Sequence, residues 1–293
     1  MHAVKKIDPF GIDKDFDIPS IPLVLIKIIQ TLVEDSASAQ ELEQLIRHDP
    51  ALSARILKLA NSAFYFFRNE VKTISHAIAL LGINVVTSLA IGINIFDSFT
   101  KGTKAESALI SKLWMHSFGV GVLAKEVWTR RSSKREGEFA FLCGLLHDLG
   151  KVVLFRMYPA HYSSIFAGEE SAKDEPISWY EIEAFGADHA VIGETLAKRW
   201  GFPPELAFVI GKHHDDLKPD FPLVGAITMA DLLAKRLGVG YDGDNGANED
   251  IDKFRSGLNM SDSEYEQLTA FAVSERTQIE YFYQPARRTL FHP

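Results

Sequence analysis

Apolar residues in this chain recur at steps of three and four for most of its length, a periodicity that admits little besides packed helices. After Pro22, Leu25, Ile28, Ile29 and Leu32 share one such stripe. Ser38 and Glu41 match a capping box, opening a helix whose apolar face holds Leu42, Leu45 and Ile46. Asp49 and Pro50 give an N-cap and a first-turn proline to the next helix, with Leu52, Ile56, Leu59 and Ala63 in register. Alternation with period two is scarce, so the expected fold class is all-α.

Two polar stretches divide the chain. Residues 97–108 separate an N-terminal helical bundle from a second bundle, and residues 240–250, rich in Gly, Asn and Asp, read as a flexible acidic loop. The expected organisation is a tail over 1–14, an N-terminal helical subdomain over 15–100, a second over 101–239, and the acidic loop with a C-terminal helix over 240–293. Ser261 and Glu264 form the capping box of that last helix.

The formal net charge of −8 argues against a nucleic-acid binder working through a broad basic surface. The basic cluster over 129–135 reads as a solvated loop. A single cysteine, Cys143, rules out an intramolecular disulfide framework and fits a reducing cytoplasm. The first residues lack the pattern of a secretory signal. Residues 77–96 carry no charge and are long enough to span a bilayer. Gly82, Gly92 and the polar residues Asn84, Thr87, Ser88 and Asn94 favour a broken or paired buried helix instead, so no membrane span is expected.

The titratable residues are placed unusually. His147 and Asp148 stand side by side in the apolar run GLLHDLGK. His116 shares a stripe with Leu109, Leu113, Val120, Leu123 and Val127, which turns it toward the core. His189 shares a face with Ile192, Leu196 and Trp200; His213 and His214 end a helix below Leu206, Val209 and Ile210; Asp231 lies on the side of Val224 and Ile227. Each has an ordinary explanation. A core histidine can bond a backbone carbonyl, Asp148 can pair with Lys151, and the His213–His214 pair can end a solvated helix. Five inward histidines and two inward aspartates together are also a ligand set for Zn, Fe or Mn. Spacing leaves both readings open.

HDLGK, with a histidine upstream and an aspartate downstream on separate helices, resembles the HD superfamily of metal-dependent phosphohydrolases. The resemblance implies that His116, His147, Asp148 and Asp231 hold a metal. His189 and the His213–His214 doublet resemble the additions by which the HD-GYP branch builds a second site, and Lys151 matches a lysine placed beside the reacting phosphate. The segments DIPSIPLVLIKIIQTL, IRHDPALSARILKLANSAFY, ISHAIALLGINVV and FAFLCGLLHDLGKVVL resemble, in order, the HDOD modules, HD-related output domains of bacterial signalling proteins. That likeness covers roughly residues 15–235 and implies that the second bundle is HD-like. After the doublet the chain reads HHDDLKPDFPL, without the Gly-Tyr-Pro signature, which speaks against cyclic-di-GMP hydrolysis.

Two functions follow as expectations. In one, the chain is a regulatory output module with one or two divalent transition ions, acting on a signalling protein partner. In the other it is a phosphohydrolase for a phosphoester or nucleotide. There Asp148 bridges two ions, His116, His147 and Asp231 serve one, and His189 with His213 or His214 serves the other. Lys151 then neutralises charge on the reacting phosphate. Phe64, Tyr65, Phe66 and Phe67 are more aromatics than one helical face can bury. They are expected to pack between the bundles, and an exposed patch there would mark a partner site.

Overall fold

The computed structural model describes residues 25–29, 38–61, 65, 67, 69–99, 103–167, 175–215, 221–244 and 250–290. All regular structure among them is helical. The tail over 1–14, Leu32, Ala63, Phe64 and Phe66 lie outside the described residues.

A helical turn over 25–29 is followed by α1 (Ala39–Arg47), α2 (Pro50–Ala60), α3 (Ile74–Leu81) and α4 (Ile83–Phe99). The capping box of α1 is formed: Ser38 N–H donates to Glu41 Oε2 at 3.0 Å, and Glu41 N–H donates to Ser38 Oγ at 3.1 Å. Leu42 and Ile46, on the apolar face it starts, are fully buried, each contributing about 1.5–3 kcal/mol. Asp49 caps α2 by accepting from the backbone N–H groups of Ala51 and Leu52.

The uncharged run is a broken helix. α3 ends at Gly82, whose φ of 89° and ψ of 152° fall in a region open essentially to glycine, and α4 leaves at 119°. The expected second break does not occur, since α4 continues through Gly92. No single helix among the described residues is long and apolar enough to cross a membrane; the bent pair meets that test by length and composition only. Its Val86, Leu89, Ala90 and Ile91 are buried in the fold. The polar break at 97–108 is also shorter than its composition suggests, because α4 reaches Phe99 and the next helix starts at Lys104 with Thr103 as its cap.

That helix, α5 (Lys104–Thr129), packs along α6 (Lys134–Leu146); α7 (Leu149–Met157) and α8 (Pro159–Ala167) pack on α5, and α9 (Ile177–Phe185) on α8. α10 (His189–Arg199) packs on α7, α11 (Pro204–Lys212) on α10 and α6, and α12 (Pro222–Leu237) on both α5 and α6. α4 rests on α6 and α7. α13 (Ile251–Gly257) follows, and α14 (Asp262–Leu290) crosses α5, α12 and α2. The basic cluster helps to fix that crossing: Arg131 pairs with Glu264 at 2.7 Å, and Arg130 donates to Gln267 at 3.2 Å. The solvated-loop reading is corrected accordingly, because these arginines have partners on α14. Tyr65 and Phe67 stack with centroids 6.0 Å apart. They line a cleft of about 580 Å³ together with Leu80, Val122, Phe141 and Phe271, between the N-terminal helices, α5, α6 and α14.

Candidate metal centre

Six helices bring the predicted residues to one place. His116 comes from the middle of α5, where its stripe turns it inward, and is 1% exposed. His147 and Asp148 occupy the sharp junction between α6 and α7, and both are buried. His189 opens α10, directly after the N-cap Asp188. His213 is the C-cap of α11, with His214 next to it, and Asp231 lies midway along α12. Gly150 lets α7 approach α10 closely, because a Cβ there would fall on the carbonyl of His189.

Two groups of donors result. His116, His147 and Asp231 form one, His189, His213 and His214 the other, each with ligand atoms within 4.8 Å of one another. Asp148 stands between them. Its Oδ2 is 3.3 Å from His147 Nε2, and its Oδ1 is 3.3 Å from His189 Nε2 and 3.7 Å from His213 Nε2.

The outward ring nitrogens fix the tautomers. His147 Nδ1 lies 2.7 Å from the carbonyl of Gly144, and His213 Nδ1 lies 2.7 Å from that of Ile210. A carbonyl oxygen only accepts, so in both rings the proton sits on Nδ1 and the Nε2 lone pair faces the centre. Glu181 does the same for His189, accepting from Nδ1 at 2.6 Å and from its backbone N–H at 2.8 Å. The other oxygen of Glu181 accepts from Tyr162 at 2.6 Å. Burial and Glu181 push the Tyr162 phenol up, which keeps it a donor.

Lone pairs therefore meet lone pairs. His214 Nε2 donates to His189 Nε2 at 2.7 Å, but His213 Nε2, 3.3 Å from His189 Nε2, meets it lone pair to lone pair. His147 Nε2 and Asp148 Oδ1 are buried without a hydrogen-bond partner among the described residues. Such contacts are unfavourable unless a cation lies between them. Imidazole nitrogen and carboxylate oxygen, oriented by backbone carbonyls and a supporting glutamate, are the donor set of a transition ion. The residues present fit a divalent metal.

Charge gives the same answer. Lys151, fully buried, donates to Asp148 Oδ2 at 3.0 Å and to Asp242 Oδ2 at 2.9 Å. Lys235, on α12, lies 2.8 Å from Asp231 and 3.2 Å from Asp242. Three buried carboxylates, Asp148, Asp231 and Asp242, meet these two ammoniums, with Asp244 3.9 Å from Lys235, so negative charge is in excess. Burial raises the Asp148 carboxyl, but His147 and Lys151 outweigh it and hold the group well below the carboxylate range. Burial and the neighbouring His147 and His189 keep His213 neutral, its pKa well below the usual value. For His147 burial opposes protonation, yet Asp148 and Asp231 pull its pKa upward, so a proton competes there with a metal.

Asp242, Glu181, Lys235 and Tyr162 were not legible as site residues in the sequence. Asp242 lies in the stretch read as a flexible loop, but residues 240–244 fold inward and Asp242 is 1% exposed. One signal pointed to Glu181: Ile177, Glu181 and Phe185 are four apart, so a lone acid interrupts an apolar stripe.

With this geometry in view, the HDOD domain family matches residues 18–216. The chain belongs to the HDOD domain family. An uncharacterized protein from Treponema pallidum (strain Nichols) is 26% identical over 233 residues, 77% of this chain and 44% of its own length. Ribonuclease Y of Geobacter metallireducens (strain ATCC 53774 / DSM 7210 / GS-15) is 29% identical over 136 residues, 45% of this chain and 19% of that protein. The HDOD chain thus spans less than half the length of these relatives. An HDOD domain protein of unknown function from Geobacter sulfurreducens has a similar crystal structure, with TM-score 0.75, 24% identity and 96% of each chain covered. A candidate signal transduction protein from Marinobacter aquaeolei VT8 gives TM-score 0.71 at 20% identity, over 94% of this chain and 60% of that one. Both likenesses establish the fold.

Proposed function

We propose that this HDOD chain is a regulatory module whose HD-like core holds one or two divalent transition ions and whose output is contact with a signalling protein partner. The observation that carries the metal is the convergence of Nε2 lone pairs on a buried aspartate, each orienting proton tied up on the far side of its ring. What favours regulation over turnover is Lys151. In the catalytic reading this ammonium meets the substrate phosphate, yet here it is buried between two carboxylates. The name of the Marinobacter neighbour supports a signalling role for the fold.

A second reading keeps its place because the ligand set is complete. A chain with His116, His147, Asp148, His189, His213, His214 and Asp231 assembled has what a metal-dependent phosphohydrolase needs. Bound ions would supply Lewis acidity toward a phosphoester. The chain would hold the ions through its histidines, orient His189 through Glu181, and offer Lys151 to the phosphoryl oxygens once Asp242 moves.

Metal analysis of the purified chain, combined with a panel of phosphomonoesters, nucleotides, cyclic dinucleotides and an oligoribonucleotide, separates the two. The oligoribonucleotide is included because one relative is a ribonuclease. Bound metal without turnover is the expected result. Turnover abolished by Asp148→Ala would establish the hydrolase, and a chain that binds no metal at all would remove both readings.

A further inference from the structure

Asp242 is 1% exposed. It comes from the turn after α12 rather than from a helix, and it is the point on which two buried ammoniums converge. Its Oδ2 lies 2.9 Å from Lys151 Nζ and 3.2 Å from Lys235 Nζ. It also lies with His116 and Asp148 in one cluster of ligand atoms within 4.8 Å. The carboxylate thus has two cations on one side and His116 and Asp148 of the candidate metal centre on the other.

The turn is built to deliver it. Gly238, Gly240 and Gly243 have φ of 65°, 68° and 91°, which coil the chain back on itself. Tyr241 N–H donates to the carbonyl of Lys112 at 3.3 Å, and Asp244 N–H donates to Asp242 Oδ1 at 3.1 Å. At Gly240 the strap lies directly on α5, where a Cβ would overlap the backbone of His116. Only a glycine lets the strap sit this close to a ligand-bearing helix.

Lys151 is the lysine that the HD resemblance places beside a phosphate; we propose that Lys235 completes an anion subsite with it and that Asp242, on the strap, occupies that subsite as a resident substitute for a phosphoryl group. Two ammoniums beside a cation-binding site suit a dianionic tetrahedral oxyanion. A carboxylate satisfies the same donors with less charge. The strap over 240–244 therefore blocks the subsite in this state, and lifting it exposes both lysines to a phosphate-bearing ligand. The reading of the centre as a metal site supplies the context, but the lysine pair and the strap do not depend on an ion.

The test is calorimetric titration of inorganic phosphate into the full chain and two variants. Asp242→Asn keeps the side-chain volume and removes the charge. Gly240→Ala keeps Asp242 but forces the strap off α5. A strap seated in nine molecules of ten weakens phosphate by about tenfold, so both variants should bind it about tenfold or more tightly than the unaltered chain. Adding Lys151→Met to Asp242→Asn should abolish the gain. Equal phosphate affinity in the unaltered chain and the variants overturns the proposal, as does absence of binding in folded samples of both. Metal content measured on the same samples separates the failures. A phosphate gain without metal leaves the strap standing and removes the metal reading, whereas metal without any gain removes the strap alone.

Discussion

His116 Nε2 lies 2.9 Å from Asp231 Oδ1, while its Nδ1 faces the carbonyl of Val239 at 3.3 Å. The shorter contact is that of an Nε2–H donating to the carboxylate, and a metal ion between the two residues would take the place of that proton. Added Zn, Mn or Fe should therefore stabilise the folded chain, by about 2.7 kcal/mol at a free concentration of 100 Kd. Calorimetric unfolding with and without a chelator measures this. His116→Ala should lower the metal stoichiometry, and an unfolding profile indifferent to all three metals would sink the assignment.

Glu181 acts on the centre only through His189, which makes it a sensitive probe. Removing its carboxylate with Glu181→Gln lets the ring choose either tautomer and leaves Tyr162 with a weaker acceptor. Losing an outer partner of this kind costs 10- to 100-fold in metal affinity as a rough range. Competition against a chromophoric chelator should show that loss, with Tyr162→Phe giving a smaller one. Unchanged affinity in Glu181→Gln would mean that His189 is not a ligand.

How much of this could be read beforehand depended on where each residue lay. His116 and Asp231 sit on long apolar helices, where the period alone settles which way a side chain points. The capping residues Ser38, Asp49 and Ser261 announced helix starts because their chemistry is local. Asp242 gave no such sign, since Gly, Asn and Asp neighbours mark solvated turns far more often than buried ones. Lys235 was hidden differently: a lysine in the last turn of a helix usually complements the helix dipole at the surface. Gly92 misled because a glycine within an apolar helix is tolerated when neighbouring helices pack against it.

The buried lysine should be expensive to lose. Lys235→Met retains length and apolar bulk but leaves Asp231 and Asp242 without one of their cations, a loss of about 3–5 kcal/mol for a broken buried pair. Lys198, an exposed residue paired with Glu194 at 2.6 Å, provides the contrast, because Lys198→Met should cost less than about 1 kcal/mol. Urea unfolding of the two variants at neutral pH gives the comparison. Similar midpoints would show that the carboxylates around Lys235 are neutral or hydrated, contrary to the charge balance inferred for the centre.

The anchorage of α14 should depend on pH in a defined window. Hydrogen bonds from Arg131 and from Ser261 hold the Glu264 carboxyl down at about 2, against an ordinary value of 4.5. A carboxyl whose pKa is depressed by folding stabilises the folded state above its unfolded value. That contribution is complete above pH 4.5, declines as the pH falls from there, and is gone once it passes about 2. Because Glu264 sits at the surface, the effect should also weaken in high salt. Hydrogen exchange at the start of α14 should quicken as the pH is lowered through this window, after correction for intrinsic rates. In Glu264→Gln the same amides should exchange quickly already at pH 7 and lose this pH dependence, since an amide keeps one hydrogen bond to Arg131 but no charge. Protection that persists unchanged in the variant would show that α14 is held by its apolar contacts with α5 and α12 alone.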